Sequence, residues 1–162
     1  MIVERVISGG QTGADAAALR AARRLGIPTG GHAPRGWRTQ AGPAPWLADY
    51  GLVESPWDYA GRTRANVRDG CATVRLAANF SSPGEVCTLR AIEMFRKPHH
   101  DVLFVRHATG AWSEADPRAV ERFREFLWDN RVRVLNVAGN AERTAPGIGM
   151  AVEAFLVSAL GC

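Results

Sequence analysis

The chain opens on a β-branched, apolar run, Ile2 to Ile7, that turns abruptly into glycine: Val6-Ile7-Ser8-Gly9-Gly10-Gln11-Thr12-Gly13-Ala14-Asp15. Branching at Cβ favours extended backbone, so the run predicts a buried strand. From Ala14 the period becomes helical. Ala14, Ala18, Leu19, Ala22 and Leu25 recur on one side, arginines at 20, 23 and 24 fall between them, and Gly26 ends the segment. Ile27 to His32 can form a second strand. Ala33 to Ala48, broken by Pro34, Gly36, Gly42, Pro43 and Pro45, reads as a long loop, and Leu52-Val53-Glu54 as a short edge strand.

Asp58 to Arg68 is polar and helix-compatible, with too few apolar residues for deep burial. Cys71 to Ala78 alternates as a strand does, with Val74, Leu76 and Ala78 on one face and Thr73, Arg75 and Ala77 on the other. A charge at Arg75 predicts a face that helices do not wholly cover. After a turn at Asn79 to Pro83, Gly84 to Phe95 reads as a helix with an apolar stripe of Leu89, Ile92 and Phe95, stopped by Lys97-Pro98. Val102 to Val105 is a uniformly apolar strand. Asp116-Pro117 has the chemistry of a helix start, the helix running to about Asn130 with Val120, Phe123 and Leu127 inward. Val132 to Val137 is a strand, Ala138 to Ala145 a loop, and Pro146 starts a last helix with Ile148, Val152, Phe155, Leu156 and Ala159 on one side. Such alternation predicts one Rossmann-like α/β domain over residues 1–162: an open, mainly parallel sheet with helices on both faces.

Composition narrows the classes. With 46% hydrophobic and 22% charged residues, and no apolar run near the ~20 residues of a membrane span, the expectation is a soluble protein without a membrane partner. Met1 to Arg5 runs straight into a strand and lacks the regions of a signal peptide, which predicts a cytoplasmic location. Cys71, Cys87 and Cys162 are odd in number and far apart, which argues against a disulfide framework or a zinc site. The net charge of +4 comes from nineteen arginines and one lysine, dispersed and without interleaved aromatics, so no nucleic-acid partner is expected.

Strand, glycine turn, helix is the order that makes an anion site. Glycine lets a ligand approach the backbone, and the free N–H groups at a helix start favour negative charge. The spacing from Gly9 to Gly13 matches neither the dinucleotide fingerprint nor the P-loop. In parallel sheets ligands bind beyond the carboxyl ends of the strands, where strand order reverses. Three loops suit that edge here: Gly9 to Gly13, Phe80 to Glu85 and Gly139 to Thr144. Their convergence would make one pocket, over which Arg35, Trp37, Arg38 and Gln40 of the long loop could lie.

These residues also carry a resemblance. Ser8 to Asp15, with Ala17-Ala18-Leu19 and Gly26-Ile27-Pro28, resembles the opening of the molybdenum carrier family, SGGQTGVDRAAL. Gly31, Pro34-Arg35-Gly36 and Arg38 with Gly42-Pro43, then Tyr59, Arg62-Thr63, Asn66-Val67 and Asp69, then Asn136-Val137-Ala138-Gly139, Glu142 and Ala145-Pro146-Gly147-Ile148, resemble its later blocks in the right order. The family is similar to a circularly rearranged form of Rossmann-like proteins that include cytokinin-activating phosphoribohydrolases. The resemblance implies binding and shielding of molybdenum cofactor, a phosphorylated pterin (molybdopterin) carrying the metal, by a homo-oligomer. The chain departs from the family at Ala16, where arginine is usual, at Cys71, where aspartate is usual, and at Glu85, which replaces the threonine of a GGTxxT turn.

The leading expectation is therefore a non-catalytic carrier. Backbone amides at Gly10 to Gly13 would hold the phosphate, and Gln11, Thr12, Thr63, Asn66 and Asn136 would give neutral hydrogen bonds. Arg35 or Arg68 would close over the anion, and Gly9, Gly84, Thr88 and Gly139 are further candidate ligand-binding residues. The alternative is a hydrolase of a nucleotide N-glycosidic bond, which needs a carboxylate near the sugar; Asp15, Glu85 and Glu142 are its candidates. The Arg35 to Trp46 segment and the aromatics Trp57, Trp112 and Trp128 exceed the need of one small core, which predicts self-association. Light scattering should return a mass above 17.5 kDa across a dilution series; that mass throughout would mean a monomer.

Overall fold

The computed structural model describes residues 3–161. Ile2, with which the first expected strand begins, and Cys162 lie outside the described residues. The first strand, β1, covers Arg5–Ser8, and helix α1 follows over Ala14–Arg24. β2 is Thr29–Ala33. The expected long loop is instead folded tightly on itself. A 3-10 turn at Arg35–Trp37 leads into a two-residue hairpin of β3 (Arg38–Thr39) and β4 (Gly42–Pro43), and a second 3-10 turn, Pro45–Tyr50, leads to β5 at Leu52–Glu54. Leu47 explains the difference: it is fully buried against Leu19, Ala33, Ala44 and Leu52, a small second core that anchors the segment. Gly10 serves that core. Its φ is +74°, and a Cβ there would stand 2.6 Å from the Leu47 side chain.

Helix α2 spans Tyr59–Asp69, capped by Asp58, whose carboxylate accepts from the N–H of Gly61 at 3.3 Å. It is buried more deeply than its composition predicts, at Gly61, Arg62, Ala65, Asn66 and Val67. Small and hydrogen-bonded residues achieve this. Asn66 accepts from the His32 N–H at 2.8 Å and donates to the His32 carbonyl at 3.1 Å, binding the helix to β2. β6, Ala72–Ala77, is buried at every position, so the expectation of an open face beside Arg75 is corrected. Arg75 is tolerated there because Asp101 takes its Nε at 2.8 Å and also accepts from its Nη2.

Helix α3 is Pro83–Phe95, and its buried side is Glu85, Thr88, Ala91 and Ile92 rather than the expected stripe, of which only Ile92 is fully covered. β7 runs over His99–Arg106, and β8, Trp112–Glu114, pairs antiparallel with it, a short strand the pattern did not mark. α4 is Ala119–Asp129. Asp116-Pro117 forms the turn before it, Asp116 accepting from the N–H groups of Arg118 and Ala119. β9, Val134–Gly139, extends into the expected loop, and α5 covers Ile148–Leu160 after Gly147.

The seven-stranded sheet has the order β5-β2-β1-β9-β6-β7-β8, parallel except for β8. The chain moves outward from β1 to β5, crosses through α2 to β6, moves outward again to β8, and returns through α4 so that β9 fills the gap between β1 and β6. α1, α4 and α5 cover one face over the main core, and α2 and α3 cover the other, where Val67, Ala91 and Ile92 meet. Among the described residues no helix is long and apolar enough to cross a membrane.

Phe155 sits where β7, α4 and α5 meet, 1% exposed, edge-on to Phe104 and 5.6 Å from the Phe123 ring. Phe155→Ala should destabilise the fold by about 3–5 kcal/mol, read as a lower urea midpoint with an unchanged slope.

Candidate functional site

The three loops named from the sequence do converge. A cavity of about 670 Å³ opens at the carboxyl ends of β1, β6 and β9, lined by Gly9 and Gln11 from the first loop, Ser82 to Glu85 from the second and Gly139 to Ala141, Arg143 and Thr144 from the third. α2 supplies a wall through Tyr59, Arg62, Thr63 and Asn66, and the β3–β4 hairpin contributes Thr39 and Gln40. Strand order reverses at this edge, the place where open parallel sheets leave room between diverging connections.

Asn140 sets the spacing of two loops. Its Oδ1 accepts from the N–H groups of Ala78 and Asn79, both at 2.9 Å, and its Nδ2 donates to the Asn79 carbonyl at 2.9 Å.

Four N–H groups of the first glycine turn are committed within the protein. Gly10 N–H goes to Ser8 Oγ at 3.3 Å, Gln11 N–H to Asp15 Oδ2 at 3.2 Å, Thr12 N–H to Gln11 Oε1 at 2.9 Å and Ala14 N–H to the Asn140 carbonyl at 3.1 Å. Gln11 Oε1 also accepts from Gln40 N–H, and Thr12 Oγ1 from Glu142 N–H, so both side chains tie loops together. Gly9 and Gln11 line the cavity, whereas Gly10, Thr12 and Gly13 do not. The start of α5 is likewise occupied, Glu142 accepting from Gly147 at 2.7 Å and Gly149 at 3.1 Å. The start of α3 is different. Ser82 makes no side-chain cap, and among the described residues no protein group accepts from the N–H of Gly84 or Glu85. The space beside Gly84 is open, with nothing within 4 Å of a Cβ placed there.

The three carboxylates singled out from the sequence separate by role. Glu142 is the cap of α5. Asp15 braces the first loop and pairs with Arg62 at 3.1 Å; burial pushes its carboxyl above the usual range, and Arg62 and the Gln11 N–H oppose that shift. Gly9 is the reason Arg62 fits, because a Cβ at that position would lie 1.6 Å from its Nη1. Glu85 is 2% exposed, and its Oε2 has no hydrogen-bond partner. Arg75 comes no closer to that oxygen than 3.8 Å, because its guanidinium is taken by Asp101. Burial therefore dominates, Asp15 and Asp101 add repulsion, and together they outweigh Arg75 to push the Glu85 carboxyl up to about 7.

The sequence model of the circularly permutated YpsA SLOG family matches residues 6–160. The chain belongs to this family. It is similar to the crystal structure of the Putative molybdenum carrier protein from Syntrophus aciditrophicus SB, with 30% identity, 99% of this chain and 96% of that chain covered, and a TM-score of 0.82. None of the curated proteins matches it.

Within this SLOG family member the remaining named residues divide by position. Thr63, Asn66, Gly84, Thr88, Asn136 and Gly139 line the cavity. Thr88 Oγ1 donates to the Gly84 carbonyl at 3.0 Å, and Asn136 Nδ2 to Thr73 Oγ1 at 3.1 Å. Arg35 and Arg68 are exposed and stand outside the lining, Arg68 paired with Asp69 at 2.7 Å. The cationic groups at the cavity are instead Arg62 and Arg143. Arg62 was legible within the Tyr59 to Asp69 block, while Asn140 and Arg143 fall inside the Gly139 to Thr144 loop with nothing to mark them individually. Of the three departures, only Glu85 lies in the cavity; Cys71 precedes β6, where its sulfur accepts from Val134 N–H. No cluster of three His, Cys, Asp or Glu that could hold a metal ion occurs among the described residues.

A carboxyl raised by burial stabilises the fold while it is protonated. Its contribution is complete below the unfolded value near 4.5 and is lost as pH rises through about 7. Glu85→Gln should therefore be more stable than wild type at pH 8 by up to roughly 3 kcal/mol and closely matched to it at pH 4.5, a crossover that urea titrations at the two pH values measure.

Proposed function

We propose that this family member is a small-molecule carrier that binds a phosphorylated heterocyclic cargo of the molybdenum cofactor type in the 670 Å³ cavity. The observation that carries the reading is the uncapped start of α3 inside that cavity. The free N–H groups of Gly84 and Glu85, the positive end of the helix and Arg143 supply what a phosphate requires. The cavity volume lies within the ~300–1,000 Å³ of ordinary cofactor sites. Thr63, Thr88 and Asn136 offer neutral hydrogen bonds further in, and Tyr59, 41% exposed, offers a ring face. The description of the Syntrophus protein as a molybdenum carrier supports the same cargo. In this reading the first glycine turn shapes the cavity and α3 holds the anion. The exposed Trp46, Trp57 and Trp128 support assembly as a homo-oligomer.

One observation favours the alternative reaction, hydrolysis of a nucleotide N-glycosidic bond: a carboxyl near neutrality in the cavity wall is suited to proton transfer. Release of free base from nucleoside monophosphates by wild type but not by Glu85→Gln would establish it.

Mass spectrometry of molecules released from the purified protein should find a phosphorylated pterin together with molybdenum. Gly84→Asp is the sharper test, since it adds a charge in open space where a helix start tolerates one. The fold should hold, while phosphorylated-ligand affinity should fall about 10- to 150-fold, the equivalent of roughly 1.5–3 kcal/mol. Unchanged affinity in a calorimetric titration would exclude α3 as the phosphate site.

A further inference from the structure

Two buried polar atoms among the described residues lack any hydrogen-bond partner, the Nε of Arg62 and the Oε2 of Glu85. Both residues line the same cavity. One is a donor and the other an acceptor, and each is costly to leave unmatched. The protein has candidates to satisfy Glu85 and withholds them. Arg75, the nearest cation, is held by two hydrogen bonds to Asp101 and lies 4.9 Å from the Phe80 ring centre. Its Nη1 reaches the Glu85 carbonyl at 3.4 Å but stands 3.8 Å from the carboxylate.

We propose that Glu85 is the specificity-determining residue of this cavity, accepting adjacent N–H groups from the 2-amino-4-oxopyrimidine edge shared by guanine and pterin rings. The inference rests on the reading of the cavity as the ligand site and adds the edge that it selects. A carboxylate has two oxygens side by side, and this edge carries a ring N–H beside an exocyclic NH₂, two parallel donors matched to them. An edge without the 2-amino group leaves one oxygen unmet. The Arg62 Nε is a donor fit for the ring's oxygen or a ring nitrogen. The free amides of Gly84 and Glu85 belong to the same cavity wall, so the cavity offers a ring edge and an anionic tail opposite chemistry.

The groups facing the Glu85 carboxyl are Arg75 of β6, Asp15 of α1 and Asp101 of β7, and they leave it close to half ionised at neutral pH. Donor N–H groups bind the ionised form. Affinity for a ligand with this edge should therefore rise as pH increases through about 7 and then level off.

The test is calorimetric titration of the full chain at pH 8 with two pairs of probes: GMP against IMP, which lacks the 2-amino group, and pterin against lumazine, which carries oxygen there. The 2-amino member of at least one pair should bind about tenfold or more tightly, and the pair that discriminates identifies the ring class. Glu85→Gln, expected to fold at least as stably as wild type, and Glu85→Thr should both erase that difference. Binding without discrimination in wild type, or discrimination retained by Glu85→Gln, would overturn the role of Glu85 and leave the cavity reading standing. Failure of all four probes to bind would overturn both.

Discussion

Charge can be buried beneath a sheet only with a partner, and the centre of this molecule is arranged around two arginines that meet that condition. Arg62 descends from α2 onto Asp15, and in doing so locks the first glycine turn, because the same carboxylate accepts from Gln11. Arg75 rises from the middle of β6 to Asp101 on the neighbouring strand. Breaking either pair by removing one partner leaves an uncompensated charge in the interior, which is far more costly than never having placed one there. The two pairs also fix what is left over. With the Arg75 guanidinium engaged by Asp101, Glu85 Oε2 is left without a hydrogen-bond partner, and the cavity wall acquires a proton-sensitive carboxyl.

Much of the fold was legible because burial and local chemistry agree along most of the chain. Ala14 to Arg24 and Ile148 to Leu160 are helices by period and by packing, and Leu52 to Glu54 is an edge strand by length and position. The misplacements have specific causes. Arg75 reads as a sign of an uncovered face and the Asp58 to Arg68 helix as shallow, since nothing in the sequence reveals that carboxylates distant along the chain face Arg75 and Arg62. The segment after Ala33 reads as loop because proline and glycine mask Leu47, which organises it. β8 is too short to show a period.

The candidate site was legible as a place before it was legible as chemistry. Loops after strands predict where a ligand goes, and the cavity lies there. They do not predict which amides remain free, because that depends on the folded partners: the Asn140 carbonyl for Ala14, Glu142 for Gly147 and Gly149, and among the described residues none for Gly84 and Glu85. Glycine count pointed to Gly9 through Gly13, yet Gly10 is explained by the close approach of Leu47 and Gly9 by that of Arg62.

The position of β9 has an implication for how the molecule comes into being. Among the described residues it is the last strand along the chain and the only strand between β1 and β6. Until it has left the ribosome, the nascent chain can build two separate three-stranded half-sheets, β5-β2-β1 and β6-β7-β8, each with a bare inner edge. The cavity belongs to neither half. The cavity is completed by the closing strand, and a chain interrupted before Val134 would lack its β9 wall and the α5 side of the main core, with two strand edges left bare.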